Sequence, residues 1–529
     1  MGSAGNAEDT HVRMSRPLLL VLCSIGFVGV LLRLWLIAFE HFFNEDALIT
    51  LRYGRNIIEG NGWVFNTNQH VLGSTSPIWT VVAALASGLL STGGARLLLS
   101  TMDLVFYCLA GWLLVRRICS RSDVGAVAPV VLVAVLAFHR LILDTSIGGL
   151  EESLFVLLIV AAVLVVERSV PAGFALAGIA TLVRPEGLVL AIALLLMLLT
   201  VDRRWKSVVG AVLSFVAVIT PWVVFATIYF GSPIPQSAKA KSGWIGQHLT
   251  LLRILWRPQH LLSVFTFLNA TYTGSTTDVA QLTLAVAGLA LFGYGAWTSV
   301  RRRDRFMTTL ALFFVGYVAF YYFGNGELFH WYILPSAVTF WSVTAIGIDA
   351  LARNWLRRIW ILGVGAFVVF LLAQAVIVLP ELSAMQGYET GVAQATGQWI
   401  ARCTPTDATV MLEPLGYVGY YSDRRIIDLG GLISPKFASL DASTVVGWPA
   451  TEILLMRPDY LVLRRYEVAT NEFLVANWHP MFANSRSRKE FEDIYVPVAS
   501  FSDQYATHQA NGQDISLVVY ARNGVALCH

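Results

Sequence analysis

Twelve apolar segments follow one another along this chain of 529 residues, and they restrict its fold more than any other feature. A helix that crosses a bilayer needs about 20 apolar residues, and most of these segments approach that length. Apolar residues make up 56% of the chain and charged residues 13%, against about 25% charged residues in soluble domains. The chain is therefore predicted to be a polytopic α-helical membrane protein, which excludes a soluble enzyme, a disordered chain, a collagen and a disulfide-rich miniprotein. The segments are 17–39, 77–93, 97–115, 124–142, 148–166, 172–183, 187–201, 207–228, 281–299, 306–323, 331–352 and 359–380.

Clusters of basic residues predict how these helices are oriented, because cytoplasmic loops are enriched in lysine and arginine. The clusters reach the cytoplasmic side together only if the segment 77–93 lies in the membrane plane instead of crossing it. This solution gives about 11 transmembrane helices and an extracytoplasmic region 381–529. The clusters are Arg13/Arg16, Arg116/Arg117/Arg121, Arg168, Arg203/Arg204/Lys206, Arg301/Arg302/Arg303/Arg305 and Arg353/Arg357/Arg358.

Two domains of a multi-pass plasma-membrane protein are expected from this arrangement. Residues 1–380 form the transmembrane domain, whose first outer loop is 40–96. Residues 381–529 form a smaller extracytoplasmic α/β domain, in which 391–402 is expected to be helical. Its expected buried strands are Ala408–Leu412, Tyr460–Arg464 and Ile515–Ala521.

Cysteine use and net charge limit the partners of the chain. Cys403 and Cys528 lie near the two ends of the C-terminal region, and an oxidising compartment would favour a disulfide between them. The net charge of +3 does not produce the basic field that nucleic-acid binding requires, so no nucleic-acid partner is expected.

Paired carboxylates mark two places on the predicted outer face. Glu45 and Asp46 follow the first helix directly, and Glu151 stands at the outer start of a later helix. A carboxylate at the membrane boundary can deprotonate a hydroxyl acceptor or bind a divalent cation. The alternative is a helix-start charge that complements the helix dipole.

Basic residues on the same face are candidates for binding a phosphate. Lys239 and Lys241 follow a Pro-rich turn, Arg184 stands in an Arg-Pro-Glu turn between two short helices, and His330 precedes Trp331. Lysine presents a compact charge that suits phosphate. The alternative for each is an interfacial position, where the charged end reaches lipid headgroups.

Motifs in the same order along the chain resemble the GT-C membrane glycosyltransferases, most closely the AftB-type terminal arabinofuranosyltransferases of mycobacteria. One departure is Glu45, where that group has aspartate, so Asp46 is the preferred base. The matching segments are 45–56, 59–66, 73–80, 149–151, 182–187, 413–421 and 427–432, with a looser match at 235–241.

The resemblance implies the reaction and its partners. Arabinofuranose would move from decaprenylphosphoryl-arabinose, a polyprenyl-phosphate donor, to a cell-wall arabinan, the polysaccharide acceptor of arabinogalactan or lipoarabinomannan. Terminal β-1,2 capping is the implied linkage, membrane lipid is a further partner, and the active site faces the extracytoplasmic side. The resemblance implies no definite cofactor, and a divalent cation stays an alternative.

The resemblance also implies roles for individual residues. Asp46 would be the base, with Glu45 and Glu151 orienting either Asp46 or the acceptor. The implied phosphate-binding residues are Lys239, Lys241, Arg184 and His330. The implied acceptor- or loop-positioning residues are Arg52, Tyr53, Arg55, Asn66 and Trp79.

Several interpretations of the stereochemistry and the function stay open at this point. One displacement inverts the anomeric centre, whereas the resemblance implies net retention, which would need a dissociative path or a second nucleophile such as Glu45 or Glu151. A GT-C transferase of another sugar, a non-catalytic scaffold and a membrane transporter or flippase share the apolar helices. The two halves of the chain lack the internal repeat that transporters often show.

Overall fold

The computed structural model describes residues 15–201, 204–245, 279–323, 330–354, 357–438, 446–471, 480–509 and 512–526. Its N-terminal part is a bundle of apolar helices, and its C-terminal part is an α/β domain at one end of that bundle. The helices of the bundle and its loops are Arg16–Ala38, Glu45–Ile58, Pro77–Leu89, Thr92–Cys119, Val127–Phe138, Arg140–Leu143, Glu152–Val166, Val170–Val183, Gly187–Val201, Trp205–Phe230, Gln236–Ile245, Val279–Arg301, Arg305–Phe323, Ile333–Asn354 and Arg357–Tyr388, with a 3₁₀ turn at His330–Tyr332.

The predicted fold class is confirmed by these elements. Among the described residues, five helices are long and apolar enough to cross a membrane, and six further apolar helices are shorter. The predicted number of about 11 spans and their orientation stay predictions. The five long segments are Arg16–Ala38, Thr92–Cys119, Trp205–Phe230, Ile333–Arg353 and Leu362–Cys403.

The segment expected as one in-plane helix over 77–93 ends earlier than predicted. The helix is Pro77–Leu89, and Leu90 adopts an extended conformation. The next helix begins at Thr92 because the side chain of Ser91 accepts a hydrogen bond from the backbone N–H of Gly94. A serine N-cap of this kind favours a new helix start, so 92–93 belong to the following helix, which is longer than the predicted segment 97–115.

The Arg-Pro-Glu turn is found where it was predicted. The helix Val170–Val183 ends at Arg184, whose backbone is extended. The next helix starts at Gly187. Proline disfavours a helical conformation at the residue before it, so one continuous helix is avoided and both charged side chains of the turn lie at a helix boundary.

The C-terminal domain contains a five-stranded mixed sheet within the described residues. Its strands are β1 Thr409–Leu412, β2 Arg425–Asp428, β3 Tyr460–Arg464, β4 Tyr495–Phe501 and β5 Leu517–Arg522, in the order β2-β1-β3-β5-β4. β1 pairs in parallel with β2 and β3, and β5 pairs antiparallel with β3 and β4. The helices of this domain are Gln394–Cys403, Tyr417–Ser422, Pro435–Ala438, Trp448–Met456, Arg465–Ala469, Ser485–Ile494 and Gln504–Thr507.

Two strands of the sheet were not predicted from the sequence, and the predicted domain boundary stays a prediction. β2 and β4 were not predicted, because β2 is only four residues long and β4 is an edge strand interrupted by Pro497, a residue that edge strands tolerate. The boundary at 381 falls inside a helix. The helix Arg357–Tyr388 continues through a π-helical turn, Glu389–Ala393, into Gln394–Cys403.

The two faces of the sheet contact different parts of the molecule. Val410 and Val462 share a buried cluster with Phe43, Tyr53 and other residues of the first outer loop. The alternate residues of the same strands point to the opposite face and pack on the helices of the C-terminal domain. One continuous apolar core therefore joins the first outer loop to the C-terminal domain.

Candidate functional site

Asp46 stands at the N-terminus of the helix Glu45–Ile58, at the junction of the bundle and the C-terminal domain. The side chain of Asn44 accepts a hydrogen bond of 2.9 Å from the backbone N–H of Asp46. The backbone N–H of Asn44 donates to the carbonyl of Gly148 at 2.9 Å. This pair of bonds brings the helix start next to the segment that precedes Glu151.

Gly149 is the point at which three elements meet. The Trp79 indole donates to its carbonyl at 2.9 Å, and its own N–H donates to Asp103 Oδ2 at 3.3 Å. Its φ of +76°, together with a Phe43 ring atom 2.3 Å from the place a Cβ would take, leaves room only for glycine. The tight contact holds the helix start of Asp46 against the helix start of Glu151.

The guanidinium of Arg184 is bound by three carboxylates. It donates to Glu151 at 3.1 Å, to Glu152 at 2.9 Å and to Glu186 at 3.0 Å. All four side chains are buried. Such a network is stable only when its charges are paired, because each unpaired buried charge costs several kcal/mol, on the order of 3–5.

Two tyrosines complete this cluster, which we call the Arg184 cluster: Arg184, Glu151, Glu152, Glu186, Tyr321 and Tyr332. The Tyr321 hydroxyl donates to Glu186 Oε1, and the Arg184 guanidinium lies 4.6 Å from the centre of the Tyr332 ring. The charge of Asp46 acts on both Glu151 and Tyr332. Asp46 is therefore within electrostatic range of the cluster.

Two carboxylate oxygens of the Arg184 cluster lack a hydrogen-bond donor among the described residues. Among the described residues, Glu152 Oε2 and Glu186 Oε2 are buried and accept no hydrogen bond. Buried acceptors without a donor are rare in folded proteins.

Glu45 faces the C-terminal domain instead of the Arg184 cluster. Its Oε1 accepts a hydrogen bond of 3.0 Å from the backbone N–H of Gly416. Burial raises the pKa of Glu45 well above its usual range, and the neighbouring carboxylates of Glu389, Glu413 and Asp46 add to the rise. This environment favours the protonated acid, which suits neither a base nor a nucleophile.

The five residues predicted to position the acceptor or the loop all hold the first outer loop in place. Arg52 donates to the carbonyls of Gly419 and Arg424. Arg55 pairs with Asp423 at 2.7 Å. These bonds fasten the helix Glu45–Ile58 to the C-terminal domain.

The remaining three residues, Asn66, Tyr53 and Trp79, connect the first outer loop to neighbouring backbone. The Asn66 side chain exchanges bonds of 2.8 and 2.9 Å with the backbone of Ile426 in β2. The Tyr53 hydroxyl donates to the carbonyl of Val71 at 2.7 Å, and the Trp79 indole donates to the carbonyl of Gly149. These side chains contact the first outer loop and its neighbours, and the role predicted for them in positioning the acceptor or the loop stays a prediction.

Of the four predicted phosphate-binding residues, the structure describes the side chains of Arg184 and Lys239. Arg184 is held by carboxylates, and Lys239 is exposed on the helix Gln236–Ile245, whose first N–H donates to the carbonyl of Leu72 at 2.7 Å. The side chains of Lys241 and His330 lie outside the described residues. Cys403 is disulfide-bonded, whereas Cys528 lies outside the described residues, so that pairing stays a prediction.

Of the residues in the Arg184 cluster, only Arg184 and Glu151 were predicted from the sequence as site residues. Glu152, Glu186, Tyr321 and Tyr332 were not predicted as site residues. The available signal was the presence of several ionisable side chains beside predicted membrane helices, since such residues usually mark a functional site. No group of three or more His, Cys, Asp or Glu side chains placed to hold a metal ion occurs in the part of the chain that the structure describes.

Family models match both parts of the chain. Residues 76–323 match the model of glycosyltransferase family 87. Residues 380–518 match a domain of unknown function, DUF8728. The first match includes Trp79, Gly149 and the Arg184 cluster up to Tyr321, and the second includes the sheet that contacts the first outer loop.

A curated protein and two solved structures are similar to the chain. Terminal β-(1→2)-arabinofuranosyltransferase of Mycobacterium tuberculosis (strain ATCC 25618 / H37Rv) is 29% identical over 228 residues, which cover 37% of this chain and 34% of that protein. The match thus spans about a third of the relative's length.

The solved structures agree with this chain in fold. ArnT from Cupriavidus metallidurans in the apo state has a TM-score of 0.52 at 14% identity, covering 96% of this chain and 97% of that one. The archaeal oligosaccharyltransferase AglB from Archaeoglobus fulgidus, in complex with an inhibitory peptide and a dolichol-phosphate, has a TM-score of 0.55 at 13% identity and covers 96% and 74%. The predicted resemblance to GT-C glycosyltransferases, and to the arabinofuranosyltransferase among them, is confirmed.

Proposed function

We propose that this protein transfers arabinofuranose from a polyprenyl-phosphate donor, decaprenylphosphoryl-arabinose, to a cell-wall arabinan. Arabinofuranose is chosen as the sugar because of the similarity to the terminal β-(1→2)-arabinofuranosyltransferase. The match to glycosyltransferase family 87 supports a glycosyltransferase more broadly. The acceptor would be the arabinan of arabinogalactan or lipoarabinomannan, capped through a terminal β-1,2 link.

Asp46 is assigned as the base. It stands beside the Arg184 cluster at a helix start that Asn44 and Gly148 hold in place. In the single-displacement alternative, an acceptor hydroxyl that attacks the anomeric carbon gives its proton to this carboxylate, while the bond from that carbon to the phosphate breaks. The polyprenyl phosphate leaves with the bonding electrons, so no general acid is needed.

The Arg184 cluster is assigned to the sugar hydroxyls. Glu152 Oε2 and Glu186 Oε2 are buried acceptors without a donor among the described residues, and sugar hydroxyls supply such donors. Because three carboxylates already surround Arg184, we assign it to holding them in place instead of binding phosphate. Lys239, with Lys241 and His330, stays the proposed site for the departing phosphate.

The active site is proposed to face the extracytoplasmic side of the plasma membrane. The helix Thr92–Cys119 begins beside Tyr420 of the C-terminal domain and has Arg116 and Arg117 in its last turn. The positively charged loop and the carboxylates are thus at opposite ends of the bundle. Because cytoplasmic loops are enriched in lysine and arginine, the end of the bundle that carries the positive charges is expected in the cytoplasm.

A transfer assay in nanodiscs tests the proposal. Wild-type protein should transfer arabinofuranose from synthetic polyprenyl-phosphoryl arabinofuranose to a short arabinan. Asp46→Asn should lower the rate by about 10²–10⁴-fold, the usual contribution of a general base. Glu59→Gln, on an exposed carboxylate at the end of the same helix, should leave the rate unchanged.

The same assay separates the alternatives. Transfer from polyprenyl-phosphoryl mannose instead would identify another sugar, and no transfer from either donor by folded protein would leave a transporter or scaffold. The transfer rate in the presence of EDTA tests whether a divalent cation is required. NMR of the product decides between inversion, which one displacement by the acceptor gives, and retention, which requires a second step.

A further inference from the structure

A groove lies on the outer surface of the helical bundle, between the helices Arg16–Ala38, Thr92–Cys119 and Val127–Phe138. Its volume is about 610 Å³. Two glycines on facing helices create the space. A Cβ on Gly26 would lie 4.0 Å from Val133, and one on Gly111 would lie 3.4 Å from Leu136. The groove is therefore wide enough to accept an additional apolar chain beside these glycines.

Arg33 closes the groove at its inner end. Its guanidinium donates to Ser146 Oγ at 2.7 Å and to the carbonyls of Ala137 and Leu136, each at 2.9 Å. At the same level a Cβ on Gly29 would lie 2.7 Å from Ala137, so the two helices are in direct contact there. The donors of Arg33 are used within the protein, and the groove ends at this point.

The other end of the groove carries an uncompensated positive charge. Arg116 lines it and is exposed, with its guanidinium 5.2 Å from the centre of the Trp112 ring. The neighbouring Arg117 and Arg121 both pair with Asp304. Within the described ranges, no carboxylate lies within ion-pair distance of Arg116. The walls between Arg33 and Arg116 are mainly apolar, so the charge stands at the mouth of an apolar channel.

We propose that this groove binds one acyl chain of an anionic phospholipid, with the lipid phosphate at Arg116. From Leu19 to Arg33 the lining helix rises about 21 Å at 1.5 Å per residue. Half of the hydrocarbon core of a bilayer is about 15 Å thick. The groove can therefore take one acyl chain of one leaflet along its whole length, and Arg116 then meets the headgroup.

The position of Arg116 separates this lipid from the proposed sugar donor. The lining helix contacts the C-terminal domain at Thr92, and Arg116 lies about 36 Å further along it, at 1.5 Å per residue. A polyprenyl phosphate anchored at Arg116 would hold its phosphate at the end of the bundle opposite Asp46. The groove is thus a lipid site of its own, in the opposite leaflet.

Native mass spectrometry of the full chain, released from nanodiscs of phosphatidylglycerol and phosphatidylcholine, tests this site. Wild-type protein should retain one phosphatidylglycerol. Gly26→Leu fills the groove and should lower the retained fraction at least fivefold. Gly293→Leu places the same side chain on another membrane helix, where nothing lies within 4 Å, and should retain lipid as the wild type does. Arg116→Gln should remove the preference for the anionic lipid.

A labelling experiment needs no variant. A phosphatidylglycerol with a diazirine in its acyl chain should label peptides from the helices Arg16–Ala38 and Thr92–Cys119. Equal retention by Gly26→Leu and the wild type, or labelling spread evenly over the bundle, would refute the site. Displacement of the lipid by polyprenyl phosphate at an equal concentration would refute the choice of occupant. None of these measurements depends on sugar transfer.

Discussion

Glu45 and Asp46 are adjacent in the sequence, but their surroundings differ. Asp46 is beside the Arg184 cluster, whereas Glu45 accepts a hydrogen bond from Gly416 in the C-terminal domain. Burial and three neighbouring carboxylates raise the pKa of Glu45 well above its usual range. These surroundings favour the protonated form of Glu45, whereas the proposed base role of Asp46 requires an ionised carboxylate.

Glu45→Gln should therefore leave most of the transfer activity. The amide resembles the protonated acid in shape, and its oxygen can still accept from the Gly416 N–H. We expect the rate to fall by less than about tenfold, against about 10²–10⁴-fold for Asp46→Asn. Single-turnover rates at neutral pH check this. A loss in Glu45→Gln as large as that in Asp46→Asn would show that Glu45 acts as an ionised group.

Arg184→Met should destabilise the protein more than other single substitutions at the site. It leaves Glu151, Glu152 and Glu186 buried without their shared cation. Breaking a buried ion pair in this way costs about 3–5 kcal/mol. Thermal unfolding in detergent should show a lower Tm, whereas Lys489→Met, at an exposed position of the helix Ser485–Ile494, should leave Tm unchanged. An unchanged Tm in Arg184→Met would mean that the carboxylates are not charged.

At the scale of elements, the segment around Gly149 connects three parts of the site. It contacts the first outer loop through Phe43, the short helix Pro77–Leu89 through Trp79 and the helix Thr92–Cys119 through Asp103. Each of these elements ends or begins near the junction with the C-terminal domain. The geometry at Asp46 therefore depends on a backbone segment that carries none of the proposed chemistry.

Gly149→Ala should disrupt this packing. The new Cβ would meet the Phe43 ring at 2.3 Å, and the backbone φ of +76° disfavours alanine. We expect lower transfer activity and a lower Tm together. Gly93→Ala serves as the control, because nothing lies within 4 Å of the added Cβ in the helix Thr92–Cys119. Equal behaviour of the two variants in the transfer assay and in thermal unfolding would contradict the proposed role of Gly149.

At the scale of the whole molecule, the C-terminal domain and the bundle form one unit at the site. The loop after β2 illustrates this. Asp428 accepts backbone hydrogen bonds from Gly430 and Ile433 at 2.7 and 3.0 Å. Leu432 and Ile433 in turn contact Gly73 of the first outer loop. The buried carboxyl of Asp428 thus shapes the surface on which the first outer loop rests.

The stability of this junction should depend on pH through Asp428. Burial raises the pKa of Asp428 to about 7, against about 3.9 in an unfolded chain. Between these values the folded state binds more protons than the unfolded state, so stability falls as pH rises from about 4 to about 7 and is constant above. The decrease from this group is roughly 4 kcal/mol at most.

Thermal unfolding from pH 4 to pH 8 in wild type and Asp428→Asn checks this prediction. The asparagine does not titrate, so the decline in Tm with rising pH should be smaller in the variant than in the wild type. The two proteins are compared by the slope of Tm against pH. Other groups titrate equally in both proteins, so the difference between the slopes reports on Asp428. Parallel curves would mean that Asp428 keeps an ordinary pKa.

The amino-acid sequence by itself determined the class of the protein and the order of its elements. Runs of apolar residues specify buried or membrane helices because their transfer from water is favourable wherever they pack. The Arg-Pro-Glu break follows from local sterics, and the strand Tyr460–Arg464 follows from its own apolar residues. Helix ends and the strands β2 and β4 were missed, because short caps and edge pairings leave weak local signals.

The tertiary structure decided which charged side chains share a site. Asp46, Glu151, Arg184 and Tyr332 are far apart in the sequence and meet through helix packing and the turn at Gly149. Arg184 was predicted to bind phosphate, and its three carboxylate neighbours became visible only in three dimensions. Charge pairing and burial depend on distances through space, which residue order alone does not specify. For the same reason, the adjacent residues Glu45 and Asp46 have different neighbours.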